Sequence, residues 1–193
     1  MSIQKETRGL VGELKQQLSL LGTLVAIMWV AEVVDQWVLG RQLDLLGIIP
    51  RTTIGLRGIV LAPFLHGGFA HLIGNTIPFL MLGWLIMLRE TSDFVRVTLV
   101  VGLASGLGTW LLGSSGSHIG ASGVIFGYLG YLLLRGFFER RLGSISLSLL
   151  VGTLYGSMIW GILPLQRGVS WEGHLFGFLG GVLAARILSV RRR

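Results

Sequence analysis

The serine with the clearest capacity for chemistry in this sequence is surrounded by glycines. Ser122 lies in the segment SHIGASGVIFGYLG, residues 117–130, with Gly120 and Gly123 close to it and Gly127 further along. An incoming carbonyl group must reach both the hydroxyl of a nucleophile and the nearby backbone N–H groups, and glycine neighbours leave room for that approach. The alternative is a seam of small residues at which two membrane helices pack closely.

A histidine in a second glycine-rich segment, EGHLFGFLGG, is the candidate base for this serine. The segment contains His174 and three glycines that recur every four residues and therefore share one face of a helix. These glycines are Gly173, Gly177 and Gly181. If that face packs against Gly123 and Gly127, the Ser122 hydroxyl comes within hydrogen-bond reach of the imidazole, as a nucleophile and its base require. The alternative is a histidine that is hydrogen-bonded to a packing partner inside the membrane.

A third polar cluster, in the segment HGGFAHLIGN at residues 66–75, has the side chains needed to bind a developing negative charge. His71 and Asn75 are four residues apart and lie on one face at the start of a predicted helix, with His66 just before it. Asn and His side chains serve as oxyanion donors when backbone N–H groups are too few. The alternative is that they form hydrogen bonds between membrane helices.

No carboxylate is placed to complete a catalytic triad with Ser122 and His174. The acidic residues in or near the apolar segments lie on the first segment, on the cytoplasmic side of the predicted topology or at another helix angle: Glu32, Asp35, Glu90, Asp93 and Glu172. A Ser–His dyad is therefore the economical hypothesis. The motif also differs from the nucleophile elbow G-x-S-x-G, because Val124 replaces its last glycine. The chain has no cysteine, and we expect neither a metal nor another cofactor.

The composition is that of an integral membrane protein rather than a soluble domain. Of the 193 residues, 52% are hydrophobic and only 13% are charged. The formal net charge of +7 comes from short Lys and Arg clusters between apolar segments, not from one basic stripe with exposed aromatic residues. This pattern favours a topology signal over a nucleic-acid surface. We also expect no removable signal peptide, because the first apolar run is too long and lacks a small-residue cleavage site.

Six apolar runs, each close to the roughly 20 residues that cross a bilayer, predict an all-α bundle of six transmembrane helices. The runs are 20–39, 71–88, 94–113, 121–138, 145–163 and 173–190. The long connection from Gly40 to Ala70 mixes apolar residues with charges, which predicts a structured loop partly embedded in the outer interface. We therefore divide the chain into an N-terminal cytoplasmic segment at 1–19, a membrane domain at 20–190 and a basic cytoplasmic end at 191–193.

The distribution of basic residues predicts that both termini are cytoplasmic. In this orientation the cytoplasmic segments hold Lys5, Arg8, Lys15, Arg89, Arg96, Arg135, Arg140, Arg141, Arg186 and Arg191 to Arg193. Only Arg41, Arg51, Arg57 and Arg167 then lie outside. The positive-inside rule favours this arrangement. Ser122 and His174 consequently both begin their helices at the outer side of the membrane.

Three of these motifs together resemble the rhomboid family of intramembrane serine proteases, in its minimal six-helix form. GASG at 120–123, HGGFAHLIGN at 66–75 and GH followed by GFLGG at 173–181 stand in the order and spacing of that family. The resemblance extends over roughly residues 45 to 185 and includes the long first loop, which matches the half-embedded loop of the family. Three motifs in register are far more specific than a G-x-S-G tetrapeptide alone.

The resemblance implies a role for each site residue. By it, Ser122 is the nucleophile and His174 its base, while His71 and Asn75 join the Ser122 backbone N–H around the oxyanion. Phe126, one turn after the serine, is implied to pack against the histidine ring. A mobile fifth helix is the usual candidate in the family for lateral substrate entry.

The function implied is that of a serine endopeptidase of the plasma membrane that cleaves membrane-spanning protein substrates near the outer face of the bilayer. Its expected partners are those substrates and the lipid bilayer, with no nucleic acid. Two alternatives compete with this interpretation. One is a catalytically silent relative that binds membrane segments without cutting them, although such relatives usually lose one of the site residues. The other is a small transporter, against which the polar residues gather near one side instead of the midplane.

Overall fold

The computed structural model of the chain describes residues 3–166 and 168–190, and within this part it is an α-helical bundle. Its α-helices are α1 Ile3–Val34, α2 Gly58–Leu61, α3 Phe69–Met87, α4 Thr91–Leu112, α5 Ser122–Glu139, α6 Leu142–Tyr155 and α7 Trp171–Val190. The predicted all-α membrane fold is confirmed. Arg167 and the predicted basic end at 191–193 lie outside the described residues. Because α1 is continuous from Ile3, it includes much of the predicted N-terminal segment, and the domain boundaries stay predictions.

Five helical segments of the described chain are long and apolar enough to cross a membrane. They are Gly9–Leu39, Phe69–Met87, Thr91–Leu112, Leu142–Ile162 and Trp171–Val190. These segments correspond to the first, second, third, fifth and sixth predicted spans. The chain is therefore an integral membrane protein.

The fourth predicted span forms α5, which is not apolar enough to be counted with the other five. The helix lies at the centre of the bundle and packs against α3, α4, α6 and α7. Twelve of its residues are buried, and Tyr128 and Tyr131 have no exposed surface. A helix enclosed by other helices has no wide lipid-facing stripe, so it accommodates glycine, tyrosine and even Arg135. The low hydropathy of α5 thus follows from its central position.

The two carboxylates near the C-terminal end of the first span are buried in the protein and hydrogen-bonded. α1 passes into one π-helical turn, Asp35–Leu39, which ends at Gly40 in the left-handed conformation with φ of 59°. Asp35 Oδ1 accepts the Leu43 N–H at 2.8 Å, and Glu32 Oε1 accepts from the Gln36 amide at 2.9 Å. Charged groups inside a membrane protein require such partners.

The connection from Gly40 to Ala70 is a chain of short helical turns that supports the segment before Ser122. Its backbone at Ile48 exchanges two 2.9 Å hydrogen bonds with that of His118, and Ala62 O accepts the Gly120 N–H at 2.9 Å. Arg51 donates to Gly113 O at 2.9 Å. These bonds hold residues 113–121, which lead directly into α5.

α6 differs from the predicted continuous span at its C-terminal end. The α-helix ends at Tyr155 and continues as a 3-10 turn over Gly156–Ile162. Only 6% of the apolar window in this span is buried, the smallest fraction among the five candidate spans. The tighter turn directs the carbonyl group of Gly161 towards α7, where it contacts the site.

α5 and α7 approach each other to backbone contact along a glycine seam. A Cβ atom on Gly177 would overlap the carbonyl oxygen of Gly123, and one on Gly181 would overlap that of Gly127. The sequence predicted two glycine faces turned towards each other, and the structure differs in one respect. The Cα–H groups of Gly123 and Gly127 face mainly α4, where added Cβ atoms would overlap Ser105 and Val101, and a Cβ on Gly123 would also lie 3.2 Å from the Gly173 carbonyl oxygen of α7.

The physical reason is that α5 is packed on two sides at once. The carbonyl oxygens of Gly123 and Gly127 face the glycines of α7, a geometry suited to weak Cα–H···O contacts. Because these two residues of α5 have no side chains, α4 can also pack closely against the helix. Ser105 of α4 also reaches α7, because its hydroxyl donates to Gly173 O at 2.9 Å. Three helices are thereby locked together directly beneath Ser122.

Candidate active site

Ser122 and His174 lie in direct contact at the same end of the bundle. Ser122 is the first residue of α5, and His174 lies in the first turn of α7. The Ser122 Oγ to His174 Nε2 distance is 2.8 Å. The glycine seam below them sets this separation, because side chains at Gly177 or Gly181 would force the two helices apart.

The second ring nitrogen of His174 determines which way the hydrogen bond with Ser122 runs. His174 Nδ1 lies 2.8 Å from the carbonyl oxygen of Gly161, which can only accept. Nδ1 must therefore carry the proton, and Nε2 of the neutral ring accepts the hydroxyl proton of Ser122. A backbone carbonyl thus occupies the place that a carboxylate takes in a triad.

Phe126 holds the His174 ring from one face. The two rings are stacked, with centroids 4.1 Å apart and an interplanar angle of 6°. Gly161 packs closely against both rings, since a Cβ atom there would lie 2.5 Å from Phe126 Cζ and 3.5 Å from His174 Nδ1. The imidazole is consequently held in one orientation by stacking and by its bond to Gly161 O.

His71 and Asn75 converge on Gly120, just before the serine. A Cβ on Gly120 would lie 2.7 Å from His71 Cε1 and 3.5 Å from Asn75 Nδ2, and φ at Gly120 is 116°. Only glycine adopts this conformation readily and allows that approach. Asn75 is 7% exposed, and its Nδ2 has no hydrogen-bond partner in the part of the chain that the structure describes. This amide is therefore a donor available to a bound group.

The tautomer of His71 also favours a donor on the side of Gly120. Its Nδ1 accepts a long hydrogen bond, 3.4 Å, from the Gly67 N–H. With Nδ1 as the acceptor, the proton of the neutral ring lies on Nε2. That atom would be 2.8 Å from a Cβ on Gly120.

His66 takes a supporting position rather than a place in the cavity. It is 1% exposed, and its ring meets the ring of His71 edge-on, with centroids 5.1 Å apart. Burial, together with the proximity of His71, lowers the pKa of His66 to about 4. His66 is therefore neutral at physiological pH and packs behind His71 as an aromatic side chain.

The dyad opens into a cavity of about 950 Å³. Ser122, His174, His71 and Asn75 all line it, and most of the remaining wall comes from residues 114–119 and the segment between α6 and α7. Hydroxyl groups from several serines make this wall partly polar. A cavity of this size accommodates both water and a peptide segment beside the serine.

A hydrogen-bond network that the sequence did not reveal connects this wall to the start of α7. His118 Nε2 lies 2.8 Å from Ser114 O, and its Nδ1 lies 2.7 Å from Ser170 Oγ. Because Ser114 O only accepts, Nε2 is the donor and Nδ1 accepts from the Ser170 hydroxyl. Glu172 Oε1 accepts the Ser114 N–H at 2.8 Å. Glu172 thus binds the loop and is not the partner of His174.

Comparisons with known proteins agree with these motifs. A family model described as Rhomboid domain matches residues 55–191. An uncharacterised protein of Mycobacterium tuberculosis is 45% identical over 180 residues, which is 89% of this chain and 75% of that protein. A counterpart from Mycobacterium leprae is 43% identical over 89% of this chain and 71% of its own length. RHOMBOID-like protein 4 of Arabidopsis thaliana is 33% identical over 66% of this chain and 33% of that protein.

Proposed function

This chain belongs to the rhomboid family, and we propose that it is an intramembrane serine endopeptidase that works through a Ser122–His174 dyad. The single observation that carries the proposal is the 2.8 Å distance between Ser122 Oγ and His174 Nε2, with Nε2 as the acceptor. The family consists generally of intramembrane serine proteases, which supports the same activity. No acidic residue takes part in the proposed reaction.

Acylation begins when Ser122 Oγ attacks the scissile carbonyl carbon and His174 Nε2 takes the hydroxyl proton. The carbonyl oxygen becomes an oxyanion, which accepts hydrogen bonds from Asn75 Nδ2, His71 Nε2 and the Ser122 backbone N–H. The tetrahedral intermediate collapses as the C–N bond breaks, and Nε2–H gives its proton to the leaving amine. The product of this half-reaction is an ester on Ser122.

Deacylation repeats the same steps with water from the cavity as the nucleophile. His174 Nε2 removes a proton from the water as its oxygen attacks the ester carbon. Collapse of the second intermediate releases the new carboxyl group and returns the proton from Nε2 to Ser122 Oγ. The enzyme is thereby restored.

The Gly161 carbonyl and the Phe126 ring replace the orienting part of a triad acid. The bond from Nδ1–H to Gly161 O selects the correct tautomer, and the stacked Phe126 keeps the ring plane fixed. A neutral carbonyl stabilises the imidazolium ion of the transition state less than a carboxylate does. We therefore propose a dyad enzyme whose geometry is well defined and whose base receives modest electrostatic support.

The proposed substrates are proteins with a membrane-spanning segment, cleaved near the outer face of the plasma membrane. The distribution of basic residues supports cytoplasmic termini, and in that orientation the cavity beside Ser122 opens towards the outside. The sparsely buried span Leu142–Ile162 borders this cavity through Ser157, Met158 and Trp160 of the 3-10 turn after α6, which supports lateral entry of a substrate segment beside it. Water enters through the same partly polar cavity.

Asn75→Ala is expected to slow peptide hydrolysis by about 10²-fold to 10³-fold, because one oxyanion donor is lost while nucleophile and base remain. The change removes a buried amide whose Nδ2 has no partner in the described structure, so folding should be little affected. Initial cleavage rates and melting temperatures of the two proteins provide the measurement. An undiminished kcat would exclude Asn75 from the oxyanion site.

Labelling with a fluorophosphonate probe tests the proposed nucleophile directly. The purified protein should form one covalent adduct, which peptide mass spectrometry should locate on Ser122, and His174→Ala should prevent its formation. Ser105 is the internal comparison, because it is also near the seam but donates its hydrogen bond to Gly173 O. An adduct on Ser105, or labelling of Ser122 that is independent of His174, would contradict the proposed dyad.

A further inference from the structure

A second polar site lies at the opposite end of the bundle, where α5 connects to α6. Arg89 Nη1 donates to Glu139 Oε1 at 2.8 Å, and Arg135 Nε donates to the same oxygen at 3.2 Å. The other carboxylate oxygen of Glu139 accepts the Ser144 hydroxyl. One carboxylate therefore holds two guanidinium groups side by side.

The group formed by Arg89, Arg135 and Glu139 carries a net positive charge. The side chains of Arg89, Arg135 and Glu139 are 24%, 6% and 4% exposed, so three charged groups with a net charge of +1 are largely withdrawn from water. Arg140 and Arg141, both exposed, add two more positive charges in the connection to α6. Excess positive charge of low exposure is costly, and an anion bound there would compensate it.

These arginines border a cavity of about 380 Å³, which we name the α5–α6 pocket. Its polar wall contains Arg89, Arg135, Ser144 and Ser146, whereas Glu139 is not among the lining residues. Its apolar wall consists of Leu88, Leu147 and Leu150, and Leu150 is 49% exposed on the outer surface of α6. The pocket therefore combines anion-binding groups with an apolar surface that continues onto the exposed face of α6.

We propose that the α5–α6 pocket binds the phosphate group of an acidic phospholipid. The phosphate would contact Arg89 and Arg135 together with the Ser146 hydroxyl, and an acyl chain would lie along Leu147 and Leu150. Guanidinium groups bind phosphate oxygens with several directed donors. Basic pockets between transmembrane helices at the cytoplasmic side are suited to acidic lipid headgroups.

The apolar wall distinguishes a lipid from free phosphate as the occupant. Inorganic phosphate would use only the arginines and Ser146, and would leave the leucine wall uncovered. A lipid covers both walls and arrives from the bilayer in which α6 is already immersed. Its binding would fasten the start of α6 to α5, next to the close contact of Gly136 with Ile145.

The test measures the melting temperature and bound lipid of the purified protein in detergent, with three separate additions. Phosphatidylglycerol should raise the melting temperature by a few °C and be retained in native mass spectra. Phosphatidylcholine at the same concentration, and millimolar inorganic phosphate, should leave both unchanged. An equal rise with phosphatidylcholine or with free phosphate would overturn the proposal, since it requires both the charge and the acyl chain.

Two variants locate the effect in the pocket. Arg89→Gln removes one guanidinium group, and Gly143→Met places a neutral side chain into the pocket at a position where a Cβ meets nothing within 4 Å. Each variant should lose most of the rise in melting temperature that phosphatidylglycerol causes. The rise is measured for each variant relative to its own melting temperature with phosphatidylcholine. Arg186→Gln, which removes one positive charge from an exposed position on α7, should retain the shift. A full shift in Gly143→Met would refute the site even if Arg89→Gln failed to fold.

Discussion

Alanine replacement of either Ser122 or His174 is expected to reduce peptide hydrolysis by about 10⁴-fold or more, and the double replacement should cost little beyond that. The two side chains form one unit, joined at 2.8 Å between Ser122 Oγ and His174 Nε2. Without the base the hydroxyl keeps its proton, and without the hydroxyl the base has nothing to activate. The measurement is kcat/KM for a single-span protein substrate with the three variants.

The matched control for this experiment is Ser19→Ala, because Ser19 is exposed on α1, away from the site. It should retain the wild-type rate. Multiplicative losses in the double variant would indicate two independent contributions and would contradict a dyad. Substantial cleavage by Ser122→Ala would exclude this serine as the nucleophile.

Gly177→Ala is expected to have the largest effect among changes that remove no reacting group. A single Cβ at this position would overlap the carbonyl oxygen of Gly123, which belongs to helical backbone and cannot move as a side chain does. Overpacking of this kind costs about 1–3 kcal/mol of folding free energy. Displacement of α7 by about 1 Å would also separate His174 from Ser122 and cost on the order of 10²-fold in rate.

Two controls isolate the seam in the Gly177 experiment. Gly22→Ala makes the same chemical change on α1, where a Cβ would meet nothing within 4 Å. Leu179→Val alters α7 itself at a side chain that is 51% exposed. Both should be mild in cleavage rate and in melting temperature. Wild-type values for Gly177→Ala in both assays would show that α5 and α7 do not meet as the structure has them.

The sequence was most informative where chemistry depends on residue type and spacing. The four-residue interval of Gly177 and Gly181 predicted a close-packed helix face. The packing of that face against α5 places His174 beside the serine at the start of α5. The spacing of His71 and Asn75 likewise predicted one helix face, which the structure brings against Gly120. In each case the helical repeat alone determines which residues are neighbours.

The partner of His174 could not be predicted in this way. The acceptor is the carbonyl group of Gly161, and every residue has such a group, so the side-chain sequence carries no signal for it. Its position depends on a change from α-helix to 3-10 turn after Tyr155, where the sequence predicted a continuous span. The hydrogen bond between His118 and Ser170 could not be predicted either, because it joins residues 52 positions apart in the chain. The bond from His118 to Ser114 is local, but its acceptor is again a backbone carbonyl group.

The sequence also did not indicate which neighbouring helix packs against the Cα–H groups of Gly123 and Gly127. A glycine pattern indicates that something packs closely but does not say whether the neighbour meets the missing side chain or the backbone oxygen. Here α4 packs where these side chains are missing, and α7 packs against the backbone oxygens, because α5 is enclosed on several sides. The low hydropathy of α5 has the same cause.

The most direct test of the account is cleavage of a single-span substrate by the purified protein in liposomes, with product masses determined by mass spectrometry. The wild-type protein is expected to form two products whose masses define one cleavage site near the outer end of the membrane segment, and Ser122→Ala is expected to form neither. Equal cleavage by Ser122→Ala would contradict the account. So would failure of the wild-type protein to cleave any of a panel of such substrates while its melting temperature and helical content remain those of the folded bundle.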